Sequence, residues 1–148
     1  VGQNLGADNM KRARKGTNVA LLLSIATALI LMAPVIIFAP LLASLFNNDP
    51  DVLSYGVHFI RLMMPFYLAI SFNQIFANAL RGAGNSVTPM VIMMGSFIVF
   101  RQIYLYFISK YFNNITATAL GYPLGWVLCS ILLIIYYWKV GLNVKKKI

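Results

Sequence analysis

Charge is scarce in this sequence of 148 residues: only 10% are Asp, Glu, Lys or Arg. Soluble domains carry about 25%. That deficit, beside 60% hydrophobic residues, excludes a soluble globular domain and a disordered chain. Acid is scarcer still. There is no Glu, and Asp8, Asp49 and Asp51 all lie outside the long apolar runs. Carboxylate pairs for acid–base chemistry and carboxylate metal cages therefore find almost no material. A single cysteine, Cys129, excludes an internal disulfide and Cys-rich zinc sites. No Cys-x-x-Cys, His-x-x-x-His, nucleophile elbow or phosphate loop occurs, and Gly82-Ala83-Gly84 follows no strand. The sequence thus predicts no enzyme, no metal site and no cofactor. The 12 basic residues bring the net charge to +9. A basic excess suggests nucleic acid. Here the bases flank apolar runs, which is the membrane pattern, so no nucleic-acid partner is expected. The chain starts at Val1, without Met or a signal-peptide pattern, which predicts a piece of a longer protein.

Long apolar runs are what the sequence does have. They occupy 19–46, 53–80, 89–108 and 117–138. Each is long enough to cross a hydrocarbon layer of about 30 Å as a helix, which satisfies its own backbone polar groups in lipid. No strand-like alternation competes. The predicted fold is an all-α membrane protein with four transmembrane helices. A loop and helix start cover 1–16; the helices cover 17–46, 52–81, 86–109 and 116–138; a basic tail covers 139–148. Pro34 and Pro40 in the first helix and Pro65 in the second are expected bending points.

The bases fall unevenly on the two sides. Counted over alternate breaks and the two ends, nine lie on one side and only Lys110 on the other. The nine-base side, holding both chain ends, is expected to be cytoplasmic. The run Lys145–Lys147 reads first as a topology signal and second as a lipid head-group site.

Polar groups within spans are costly and so are the first functional candidates. Tyr67, Ser71, Gln74, Asn78 and Arg81 recur at a spacing that puts them on one helical face. That face meets either a water-filled cavity or neighbouring helices through interhelical hydrogen bonds. Asn73 lies on an adjacent face and would widen the polar surface. Arg61 and Arg101 lie about 10–12 Å below the outer surface by helical rise. Each either snorkels or pairs with carbonyls, or else faces a transport pathway or an acid elsewhere. His58 shares the face of Arg61 and reads chiefly as an interfacial histidine, with proton coupling as the sharper alternative. Ala117, Gly121, Gly125 and Cys129 form a small-residue stripe for close helix packing. Met63, Met64, Met90, Met93 and Met94 suit membrane packing or a pocket for varied apolar ligands. Asn114-Ile115-Thr116 is a formal glycosylation acceptor.

Two loops carry a further pattern. One is Val1-Gly2-Gln3-Asn4-Leu5-Gly6-Ala7-Asp8-Asn9, followed by Lys11, Arg12, Ala13 and Arg14. The other is Asn78-Ala79-Leu80-Arg81-Gly82-Ala83-Gly84-Asn85, ending at Thr88-Pro89. With the Arg101 segment, they resemble the multidrug and toxic compound extrusion (MATE) family. The resemblance places Gly2, Gln3, Gly6 and Ala7 in the loop before the ninth helix. Arg81, Gly82, Gly84 and Pro89 fall in the loop between the tenth and eleventh. Locally, the glycines permit unusual backbone conformations, Asp8 or Asn9 can cap the first helix, and Asn85 or Ser86 can cap the third.

The resemblance implies that the chain is part of the C-terminal lobe of a twelve-helix transporter. Such antiporters export organic, often cationic, compounds in exchange for H+ or Na+. Part of the family uses a carboxylate in the tenth helix, eleven residues before the position of Arg81. Here that position is Ile70. The coupling acid is therefore expected outside this chain. Partners would be small organic substrates, the lipid bilayer and the remaining helices. The rivals are a lipid-linked oligosaccharide flippase or polysaccharide exporter, whose cavity would be richer in cations, and a non-transporting membrane scaffold.

Overall fold

The computed structural model describes residues 1–111 and 114–142. Lys145, Lys146 and Lys147 lie outside the described residues, as does most of the 139–148 tail. The described residues are mostly helical, joined by short turns, with no strand among them. The chain folds as α1 (Gly2–Gly6), α2 (Met10–Ile37), α3 (Ala39–Ser44), α4 (Pro50–Met63), α5 (Tyr67–Gly82), α6 (Val87–Met94), α7 (Arg101–Tyr111), α8 (Ile115–Ala119) and α9 (Gly121–Val140). A 3-10 turn (Met64–Phe66) joins α4 to α5, and a π-helical turn (Gly95–Phe100) joins α6 to α7.

Four continuous stretches are long and apolar enough to cross a membrane: Met10–Ile37, Pro50–Gly82, Val87–Tyr111 and Ile115–Val140. Their outward faces carry side chains that water would not tolerate in such numbers. Leu22, Ile30, Ile37, Val91 and Ile98 are all more than half exposed. The protein is an all-α, multi-pass membrane protein. The second span holds 33 residues. At a rise of about 1.5 Å per residue it is roughly 50 Å long, so it tilts or projects from the bilayer.

Helix starts follow local chemistry. Asn9 caps α2, its Oδ1 accepting from the Arg12 amide at 3.0 Å. The basic segment thus belongs to the first helix. Asn85 Oδ1 accepts from the Thr88 amide at 3.2 Å, and its Nδ2 donates to Tyr136 Oη at 2.8 Å. One side chain therefore both caps the third span and ties it to the fourth.

The expected proline bends are distributed differently. α2 runs on through Pro34 and stops four residues later, where the Phe38 amide donates to Pro34 O at 2.8 Å. Pro40 sits in the first turn of α3, where its missing N–H costs nothing. At Pro65 the chain tightens into the 3-10 turn. The π-helical turn has no proline, and it packs closely on α9. Gly125 of α9 lies against it, so close that a Cβ on Gly125 would stand 3.0 Å from Ser96 O. One turn earlier, a Cβ on Gly121 would stand 3.0 Å from the Tyr104 ring. With Cys129 fully buried below them, the small-residue stripe is a seam of close backbone approach.

α9 is the hub, packing on α5, α6, the π-helical turn and α7. Phe76, Ala77 and Leu80 of α5 meet Cys129 and Leu133 of α9 in the core. α2 packs on α5 through Ala13 against Ala79 at the basic end, and also meets the 3-10 turn and α4.

Candidate functional site

Between α2 and the second span, from Met64 to Gln74, lies a groove. Its volume is about 790 Å³, within the usual range for small-molecule sites of about 300–1,000 Å³. Tyr67, Ser71 and Gln74 line one wall, with Ile70 and Met64. Ser24 and Thr27 face them from α2, among Leu23, Leu31, Met32 and Val35. The surface is apolar with five hydrogen-bonding side chains and no charge. Such a lining can hold an apolar body and orient it through hydroxyl and amide contacts.

The predicted stripe divides. Tyr67, Ser71 and Gln74 form the groove. Asn78 and Arg81 continue the face beyond it, with Arg81 Nη1 donating to Asn78 Oδ1 at 3.0 Å. Arg81 Nη2 reaches Met93 Sδ of α6 at 3.4 Å, so the guanidinium leans towards the third span.

Asn73 is turned the other way. It is 1% exposed, so it does not widen the polar surface of the groove. Its Nδ2 donates to Trp126 O at 3.2 Å. Ser130 Oγ lies 2.8 Å from Ala69 O and 2.9 Å from both Asn73 Oδ1 and Trp126 O. One hydroxyl proton serves one of these acceptors at a time. The cluster joins the second span to the fourth, where an unpaired amide would be costly in lipid.

The two arginines stand apart from the groove. Arg61 lines a separate cavity of about 490 Å³ with His58, Pro40, Pro50 and Leu53. His58 Nε2 also lies 3.4 Å from Thr116 Oγ1, a contact between the second and fourth spans. Arg101 packs its guanidinium over the Tyr122 ring, 3.6 Å from the centroid. Its positive charge meets the negative ring face instead of a carboxylate. Its Nε is buried without a partner among the described residues.

The two loop motifs come together. A Cβ on Gly2 would stand 3.0 Å from Gly82 O, and one on Gly82 would stand 3.3 Å from Val1 Cβ. Gly2 and Gly6 both lie in α1, with Ala7 after its end, while Gln3 O accepts from the Ala7 amide at 3.1 Å. Gly2 therefore serves close approach, not an unusual φ. Gly84 does take the left-handed region at φ 89°, as does Asp8 at φ 52°. Pro89 is buried in the first turn of α6.

Sequence reasoning missed Ser24 and Thr27. Their three-residue spacing on one helical face was the available signal, hidden by the apolar run around them. Ser130 was missed for the same reason.

The sequence and this geometry agree with comparison to known proteins. The MatE family model matches residues 1–107. An FAD transporter of Shewanella oneidensis is 28% identical over 131 residues, covering 88% of this chain and 29% of that protein. The probable multidrug resistance protein NorM of Neisseria meningitidis is 34% identical over 98 residues, covering 66% of this chain and 21% of that protein. The chain thus spans less than a third of the length of either relative. Match to the family model over most of the chain, four spans, and two interlocking loop motifs lead to one conclusion: the chain belongs to the MatE family.

Proposed function

We propose that this chain forms one wall of the substrate pathway in a secondary active exporter. The mid-span groove between α2 and α5 carries the reading. It is ligand-sized, lies along the middle of the first two spans, and combines apolar walls with Tyr67, Ser71, Gln74, Ser24 and Thr27. Transport would proceed by alternating access, with the breaks at Phe38 and Met64–Phe66 as natural points of flexure. The cargo would be an organic compound, and the counter-ion H+ or Na+. No carboxylate lines the groove, and Ile70 occupies the position where some relatives would carry one. The coupling acid would therefore come from other helices of the transporter. The basic end of the bundle would face the cytoplasm.

The relatives' names point to a flavin dinucleotide for one and to multidrug resistance for the other; a dinucleotide's pyrophosphate would need cations that the groove lacks, so the groove fits a cargo of the second kind better. The flippase reading needs cations along the pathway to hold pyrophosphate. Arg61 and Arg101 do not line the groove, so antiport of organic compounds is preferred.

The test is efflux from cells or proteoliposomes holding the transporter that contains this chain. An organic dye should leave against its gradient, and dissipating the proton or sodium gradient should stop it. Lipid-linked sugar movement that ignores both gradients would replace this reading with the flippase.

A further inference from the structure

We propose that a second groove, at the basic end of the bundle, seats one anionic phospholipid. It lies between α2, α5 and α9, has a volume of about 490 Å³, and shares no residue with the transport groove. Its lining is graded. Arg14 and Asn18 of α2 lie at one end, with Trp138 of α9 beside them. Leu21, Phe72, Phe76 and Ile134 give an apolar wall, with the Tyr137 ring beside it.

This gradient matches a phospholipid and little else. A phosphate would take the Arg14 guanidinium and the Asn18 amide as donors. An acyl chain would follow the apolar wall towards the bilayer centre. Trp138 is 81% exposed, as suits an indole at the boundary between head groups and hydrocarbon. Charge selects the head group. None of the three acids lines the groove, while Lys11, three residues before Arg14, falls on the same side of α2 by helical spacing. A zwitterionic lipid gains less here than an anionic one.

Native mass spectrometry reads the lipid directly. The full chain is extracted from vesicles holding equal amounts of dioleoylphosphatidylglycerol and dioleoylphosphatidylcholine. One phosphatidylglycerol per chain should be retained, with a preference of about fivefold, from about 1 kcal/mol for a basic side chain at an anionic surface. Arg14→Gln should bring the preference close to one. Arg12→Gln, about 200° away round the same helix, should leave it unchanged. Leu21→Trp and Ile134→Trp fill the apolar seat with the charge intact, and should lose bound lipid of both kinds. Excess inorganic phosphate should not displace the lipid. Equal losses in Arg12→Gln and Arg14→Gln would mean diffuse attraction and overturn the proposal. So would retention unaffected by both tryptophans, displacement by phosphate alone, or no retained lipid because other helices fill the groove.

Discussion

Gln74→Trp is expected to reduce efflux at least tenfold at matched expression. Gln74 is exposed and lines the mid-span groove. An indole there occupies the space of the cargo without entering the protein core. The spans should still assemble, so the protein should reach the membrane in normal amounts. Leu22→Trp is the control. Leu22 is 68% exposed, lies on α2 between groove residues Ala20 and Ser24, and does not itself line the groove. It should change efflux by less than twofold, an outcome set by the same steric logic. Gln74→Ala should weaken efflux more than Cys129→Ala, because Cys129 is buried in the interface of the second and fourth spans. Equal losses in Gln74→Trp and Leu22→Trp would remove the groove from the pathway.

Gly125→Leu should have the largest effect on folding. A Cβ at Gly125 already stands 3.0 Å from Ser96 O, a backbone atom held in the π-helical turn. No rotamer change can relieve that contact. The third and fourth spans must separate, which breaks the seam through Gly121 and Cys129. Overpacking of this kind costs about 1–3 kcal/mol, and rigid backbone on the far side favours the upper end. Gly16→Leu is the comparison, because a Cβ there meets nothing within 4 Å. Thermal unfolding in detergent should show a clear drop for Gly125→Leu and none for Gly16→Leu. Similar midpoints for the two would mean that the seam is not a close contact.

Much of this architecture was legible because lipid imposes one dominant rule. Apolar runs of sufficient length must be helices, so the four spans could be read from hydropathy alone. Caps were legible too, since Asn9 and Asn85 stand where a helix needs an acceptor. Proline was less informative than expected. Pro34 removes one backbone donor, but a long helix absorbs that loss, and α2 ends only at Ile37. The π-helical turn was illegible, because no residue in Gly95–Phe100 encodes it; Gly125, on another helix, makes the room. The polar face of α5 was half legible. Periodicity put Tyr67, Ser71 and Gln74 on one face, and the three line one wall of the groove. It could not say that Asn73, about 100° round the helix from Gln74, would meet Trp126 and Ser130 in the core. Which face packs is decided by the neighbouring helix, and the facing hydroxyls Ser24 and Thr27 lie some 50 residues away in sequence. For Arg101 the sequence left open snorkelling, a carbonyl partner, a pathway or an acid; it could not show the Tyr122 ring, 21 residues on, over which the guanidinium packs.

The central claim is that water and cargo enter the groove between the first two spans. Thiol labelling tests it directly. Cys129 is the single cysteine of this chain, so Cys129→Ala, with any cysteine in the transporter's other helices also replaced, gives a clean background. In that background Gln74→Cys and Ser24→Cys should react with a membrane-impermeant thiol reagent, and a transported dye should slow the reaction. Leu22→Cys and Ile30→Cys, on the outward faces, should stay unlabelled. Reaction at Gln74→Cys no faster than at Leu22→Cys, with or without dye, would contradict the account.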